Sequence, residues 1–190
     1  MADIVLETER LLLRSIEETD AELQFRLLNT PAVMAHLGGV KELHEIEAKH
    51  ARTMASFARD GFGFMMMVEK ASGDIVGHAG LKRVDHPAAP NQGDFEIGWL
   101  VREDRWRRGY AMEAMRAVIG WAFERHGADR LVALTSESNM PSWRLMEKLG
   151  MARDAALDFS DPAFPPEENP TIQYVLSREG WAKITQGSPR

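Results

Sequence analysis

Hydrophobic and polar residues alternate from Asp94 to Val101, with Phe95, Ile97, Trp99 and Val101 on one face and Glu96, Gly98 and Leu100 on the other. A period of two predicts a strand, here the central one. Ten residues later the spacing changes. Ala111, Met115, Val118 and Ala122 form one apolar row and Met112, Ile119 and Phe123 a second, so Ala111 to His126 reads as a helix closed by Gly127. Elsewhere the same two periods predict a first strand over Ile4 to Arg14 and a helix to about Leu28, started by a capping box of Thr19 and Glu22. Pro31, Gly38 and Gly39 mark a mobile connection over Asn29 to Leu43, before a helix from Glu45 to Arg59 ended by Gly61. Phe62 to Glu69 and Ile75 to Val84 read as a hairpin turning at Ala71 to Asp74, with Met65, Met66 and Met67 as core filler. Arg130 to Thr135 reads as a buried strand, Pro141 to Leu149 as a helix ended by Gly150, and Thr171 to Leu176 as the last strand.

These elements predict a mixed α/β fold in a single domain over residues 1–190, a length that one core can serve. With 44% hydrophobic and 27% charged residues the composition is that of a soluble globular protein. No apolar run reaches membrane-spanning length and Met1 to Arg10 is too acidic for a targeting peptide, so a cytoplasmic protein without a membrane partner is expected. A net charge of -6 argues against nucleic acid as a partner, although Arg102, Arg105, Arg107 and Arg108 form a local basic run. The absence of cysteine removes disulfides, thiolate metal sites and a cysteinyl intermediate. His44 and His50 lie six apart rather than at the four-residue spacing of a zinc pair, and no metal is expected.

Candidate chemistry lies where the strand ending at Val101 runs into the helix starting near Ala111. In Trp106-Arg107-Arg108-Gly109-Tyr110-Ala111, Gly109 and Ala111 are small enough to let a ligand approach main-chain amides. Unpaired N–H groups at a helix start attract phosphate. Taken alone, the turn reads equally well as a plain connection. It lacks both the G-x-x-x-x-G-K-[ST] and the full G-x-G-x-x-G phosphate motifs.

Trp106 to Ala111 resembles motif A of the GNAT superfamily of acetyl-coenzyme A dependent N-acetyltransferases, whose pattern is Gln or Arg, two residues, Gly, one residue, Gly or Ala. Gly109 and Ala111 keep the last two positions, and Trp106 at the first is frequent in the branch resembling ribosomal-protein N-terminal acetyltransferases. Thr8-Glu9-Arg10-Leu11-Leu12-Leu13-Arg14 is similar to that branch's opening strand. Asn139, Ser142 and Glu147-Lys148-Leu149-Gly150-Met151 are similar to its later motif. The similarity covers about residues 6–176.

The resemblance implies a mixed central sheet with a splayed parallel strand pair, flanked by helices, and acetyl-coenzyme A as cosubstrate. It places the pantetheine arm near Trp99, Leu100 and Val101, and the pyrophosphate on Trp106, Arg107, Arg108, Gly109, Tyr110, Ala111 and Met112. Tyr110 also reads as packing beside that turn. Glu96 is the expected base, with a salt-bridged strand glutamate as the equal alternative. Asn139 would contact coenzyme, cap the following helix, or both. Ser142 would orient or relay a proton near the sulfur. Family members often place a tyrosine general acid seven positions after the asparagine, where this chain has Met146.

The implied acceptor is a peptide or small-molecule amine, bordered by Asn29 to His44, Asp85 to Gly93 and Ser160 to Pro170, in a monomer or homodimer. A non-catalytic acyl-coenzyme A binding module is the other reading.

Overall fold

A computed structural model of the protein describes residues 2–186. Strands β1 (Ile4–Glu7), β2 (Leu11–Arg14), β3 (Phe64–Glu69), β4 (Ile75–Arg83), β5 (Phe95–Val101), β6 (Arg130–Ser136), β7 (Ala152–Arg153) and β8 (Thr171–Ser177) form one sheet. Its order is β1-β2-β3-β4-β5-β6-β8-β7. The flanking helices are α1 (Asp20–Leu28), α2 (Pro31–Met34), α3 (Leu43–Asp60), α4 (Tyr110–Arg125), α5 (Met140–Lys148) and α6 (Arg178–Gln186). This is the expected mixed α/β class, with a parallel pair in which Phe95 and Glu96 of β5 oppose Leu131 and Val132 of β6. By compactness the chain divides into two units: Met1–Lys82 with Gly98–Val118, and Arg83–Ile97 with Ile119–Arg190.

In the first unit the expected single strand over Ile4 to Arg14 is two strands, because the chain reverses between Glu7 and Leu11. No glycine or proline marks that reversal. Thr8 makes it instead, its hydroxyl accepting the Leu11 N–H at 3.0 Å while its own N–H donates to the Leu11 carbonyl. The Thr19 capping box does not form: Thr19 is itself helical and makes no side-chain cap. Asp20 does the work, accepting from the Glu17 N–H and from both Arg14 Nη atoms. A capping box does appear two helices later, between Glu42 and Glu45 of α3, which ends as expected at Gly61 with φ 76°. The expected loop before it contains α2, capped by the Thr30 hydroxyl with Pro31 in its first turn.

β3 pairs with β2 and with β4, both antiparallel. Consecutive strand residues face opposite sides, so the complete burial of Met65, Met66 and Met67 means that both faces of β3 are covered. β4 lies so close to the β3 entry that a Cβ on Gly80 would stand 2.3 Å from the Gly63 carbonyl oxygen.

In the second unit β6 buries Leu131, Val132 and Ala133 and pairs with β8 along its whole length. β8 also carries β7, which at two residues is too short to show a period in the sequence. α6 was not anticipated. Its Ile184 covers Gly150, where a Cβ would come within 2.1 Å of the Ile184 Cδ1. Two buried amides, Asn91 and Gln173, satisfy each other at 3.0 Å in both directions.

His78 of β4 is buried against Phe64, and burial, followed by the charges of Lys49 and His50, pushes its imidazole down to about 3. A folded-state value below the unfolded one contributes stability that is complete above the unfolded value and is lost as pH falls towards the folded one. Stability should therefore fall from about pH 6.5 downwards, His78 contributing up to about 1.4 kcal/mol per pH unit. Denaturant unfolding of His78→Phe at pH 7 and pH 5 should show a correspondingly shallower loss than the parent. Equal losses would clear His78 as a source.

Candidate active site

The turn between β5 and α4 lies entirely within the first unit. Past Val101, the Arg102 N–H donates to the Val76 carbonyl, and a 3-10 turn over Glu103–Arg105 swings the chain round. The Trp106 indole then donates to the Val101 carbonyl at 2.7 Å, closing the turn on the end of the strand. Two left-handed residues follow, Arg107 at φ 60° and Gly109 at φ 83°. Glycine adopts this conformation freely, but Arg107 is the one non-glycine residue with positive φ among those described, and side chains enter that region at a cost.

The product of these kinks is a row of donors. Among the described residues, no backbone N–H from Arg107 through Met112 finds an acceptor; the Glu113 N–H is the first to bond, to the Gly109 carbonyl at 3.0 Å. Unpaired N–H groups at the positive end of α4, beside the exposed guanidiniums of Arg107 and Arg108, make an anion site. No ion pair within the described residues neutralises those two arginines. The arrangement fits a pyrophosphate.

Tyr110 contributes differently from its neighbours. Its ring is buried and its hydroxyl donates to Glu69, leaving only its backbone N–H for a ligand. That bond is the first cause of a lowered Glu69 carboxyl and a raised Tyr110 phenol. Glu69 also accepts from Ser72 and from Arg105, which reaches on to Asp74 at 2.7 Å. The turn is thereby tied to the β3–β4 hairpin.

On its other flank stand Arg10 and Glu113. The Glu113 carboxylate accepts from the Thr8 hydroxyl, the Arg10 N–H and Arg10 Nε, at 2.6, 2.7 and 2.6 Å. Burial pushes its carboxyl up, and these bonds outweigh it to leave the group below its usual range. The sequence reading missed Arg10, Glu69, Arg105 and Glu113. Thr8 and Arg10 lay within the similar opening strand, but their partners lie about a hundred residues away, beyond any periodicity.

Trp99 and Leu100 are half-buried and Val101 is buried on β5. Gly98 lies close to Phe64, whose ring a Cβ would meet at 2.9 Å. In the second unit, Glu96 is half-buried on β5 opposite Val132 and has a partner of its own. Asn139 stands before α5 and makes no side-chain cap, so of its two expected roles the capping one is absent. Its carbonyl accepts the Ser142 and Trp143 N–H groups, while its carboxamide and the Ser142 hydroxyl bond to nothing among the described residues. The adjacent Ser138 hydroxyl donates to Glu168 of the proline-rich segment. Met146 is buried, and the other tyrosine, Tyr174, donates to Glu147 at 3.4 Å.

A mixed sheet with a parallel pair, and a strand-to-helix turn whose amides have no acceptor among the described residues, define an α/β protein whose turn could accept a phosphate-bearing ligand. Residues 10–152 match the acetyltransferase (GNAT) domain family, and the chain belongs to that family. It is similar to the FsC-acetyl coenzyme A-N(2)-transacetylase of Aspergillus fumigatus, 27% identical over 192 residues with 98% of this chain and 82% of that protein covered. A solved acetyltransferase from Agrobacterium tumefaciens superposes with a TM-score of 0.76 at 28% identity, covering 91% of this chain and 94% of that one. RimL, a ribosomal L7/L12 alpha-N-protein acetyltransferase, shares the fold at a TM-score of 0.76 and 14% identity, with 93% and 95% covered. The chain is an N-acetyltransferase of a family that uses acetyl-coenzyme A.

Because Gly109 needs φ 83°, a side chain there is strained and its Cβ would press to 3.3 Å from Arg10 Nη2. Gly109→Ala should lower the unfolding free energy by about 1 kcal/mol. Denaturant titration checks this, and an unchanged midpoint would mean that the left-handed turn is not held in solution.

Proposed function

We propose that the protein transfers the acetyl group of acetyl-coenzyme A directly to a primary amine, acting as one domain, with the pyrophosphate held by the Arg107 to Met112 amides. The observation that carries this reading is the unbroken run of donors without acceptors at the start of α4. Bound coenzyme supplies an acetyl thioester. The side chains Trp106, Arg107 and Arg108 border the pyrophosphate, and Trp99, Leu100 and Val101 border the pantetheine arm. In the second unit, Asn139 and Ser142, whose carboxamide and hydroxyl have no partner among the described residues, are the further residues proposed to contact coenzyme.

Glu96 takes the proton from the acceptor ammonium, directly or through water, so that the nitrogen lone pair is free to attack. With no cysteine in the chain, transfer needs no cysteinyl acyl-enzyme. The acceptor is a peptide N-terminus or a small-molecule amine. Of the segments expected beside it, Ser160 to Pro170 is held by several hydrogen bonds of its own. The Asn169 carboxamide donates to the carbonyls of Asp161, Phe164 and Pro165, and His86 stacks on Phe159 and pairs with Asp161 at 3.0 Å.

Coenzyme A release measured against a panel of peptide and small-molecule amines tests the reading. Glu96→Gln should slow turnover by about 100-fold with coenzyme affinity nearly intact, and an unchanged rate removes Glu96 as base. Gly109→Glu puts a carboxylate into the anion site and should abolish tight coenzyme binding. Undiminished affinity would move the site elsewhere, and binding without turnover on any amine would leave an acyl-coenzyme A binding module.

A further inference from the structure

We propose that Arg10 and Glu113 are positioning residues for coenzyme binding: Arg10, held by Glu113, grips the Arg108 carbonyl and so aims the Gly109 N–H outward at the pyrophosphate. This rests on the reading of the Arg107 to Met112 turn as the coenzyme site. A trans peptide is planar, so the C=O of Arg108 and the N–H of Gly109, which belong to one peptide unit, point in opposite directions. Arg10 Nη1 donates to the Arg108 oxygen at 2.9 Å. The Gly109 N–H therefore faces away from Arg10, and rotation of that peptide would break the bond.

Arg10 is itself fixed on three sides. Its backbone N–H and its Nε hold the two different oxygens of Glu113, at 2.7 and 2.6 Å. Its guanidinium lies 4.7 Å from the centre of the Tyr110 ring, the first residue of α4. Glu113, one turn further along the same helix, is held in turn by the Thr8 hydroxyl. The β1–β2 turn and the start of α4 are thus joined through a planar fork, which satisfies a carboxylate with one nitrogen and a carbonyl with another. A lysine ammonium cannot span both in that geometry.

Charge alone predicts the opposite outcome for Glu113. Removing a carboxylate near a site for anions should strengthen anion binding. Loss of positioning should weaken it, and the sign of the change separates the two effects.

The test compares the full-length parent with Arg10→Lys, Arg10→Met and Glu113→Ala. Calorimetry gives the Kd for coenzyme A, initial rates give the KM for acetyl-coenzyme A and for acetyl-pantetheine, which lacks the pyrophosphate, and thermal melting confirms folding. The Kd for coenzyme A and the KM for acetyl-coenzyme A should rise about tenfold in all three variants, with the KM for acetyl-pantetheine unmoved. Arg10→Lys keeps the charge and is the variant to rely on where the others melt near assay temperature. Unchanged or tighter coenzyme A binding in Glu113→Ala and Arg10→Lys overturns the proposal, as does an equal rise in KM for both thioesters. Gly109→Glu run in parallel keeps the two levels apart. If it weakens coenzyme A binding while the Arg10 and Glu113 variants do not, the positioning role fails alone; if it has no effect, the turn is not the coenzyme site and both fail.

Discussion

A helix start leaves backbone N–H groups without partners, and here six successive residues, Arg107 to Met112, have none among the described residues. Buried away from water, such donors would each cost free energy comparable to a lost hydrogen bond. They are tolerable only at the surface or against a ligand. Holding them there needs a chain path that an unconstrained loop would not choose, with Arg107 in the left-handed region. The surroundings supply the constraint from every side. The Trp106 indole holds the end of β5, Tyr110 and Arg105 hold Glu69 at the end of β3, and Arg10 holds the Arg108 carbonyl. Each anchor is a polar group that spends its bonding capacity on the turn's carbonyls and side chains, leaving its amides free.

The interior beneath the turn is largely apolar. β3 presents methionines to both of its covered faces, and the unbranched thioether chain fills space that would otherwise need shape-matched residues. Several polar groups that enter the interior arrive in pairs: Arg14 with Asp20, Gln24 with His50 Nε2 at 2.7 Å, and Asn91 with Gln173. The other His50 ring nitrogen, Nδ1, is buried without a hydrogen-bond partner among the described residues. His78 is kept neutral by its burial, and acid weakens the fold when it puts a proton on that imidazole in the unfolded chain.

Much of this was legible in the sequence, and the divisions are physical. Long periodic segments were read correctly because the period is a local property: β5, α4, β6 and α5 all lie within a residue or two of their expected bounds. The β1–β2 reversal was missed because Thr8 turns the chain with its side chain, a device without the glycine or proline that punctuates most turns. The Thr19 capping box had the right spacing, but the Arg14 guanidinium recruits the next residue, Asp20, and tertiary pairing overrides the local cap. At the site, the donor row was visible as small residues before a helix. Its anchors were not, because Arg10 and Glu113 lie 103 residues apart and Glu69 and Tyr110 lie 41 apart, contacts that no local period reports.

One feature of the proposed chemistry turns on the relative acidity of two groups. Where relatives of this family often carry a tyrosine acid, Met146 is buried, and the hydroxyls of both tyrosines in the chain already donate to carboxylates. An alkyl thiol of the cysteine type ionises near 8.5 and an alkylammonium of the lysine type near 10.4. At neutral pH the departing thiolate is therefore a good leaving group, and the proton it ends with comes from water. An alkylamine acceptor of the lysine type holds its own proton about two pH units more tightly, roughly 2.6 kcal/mol in free energy, whereas a peptide N-terminus, near 8, does not. For the alkylamine, removing that proton is the harder of the two transfers. In the proposed mechanism the Glu96 carboxylate serves the deprotonation of the acceptor, and the thiolate leaves without a tyrosine acid.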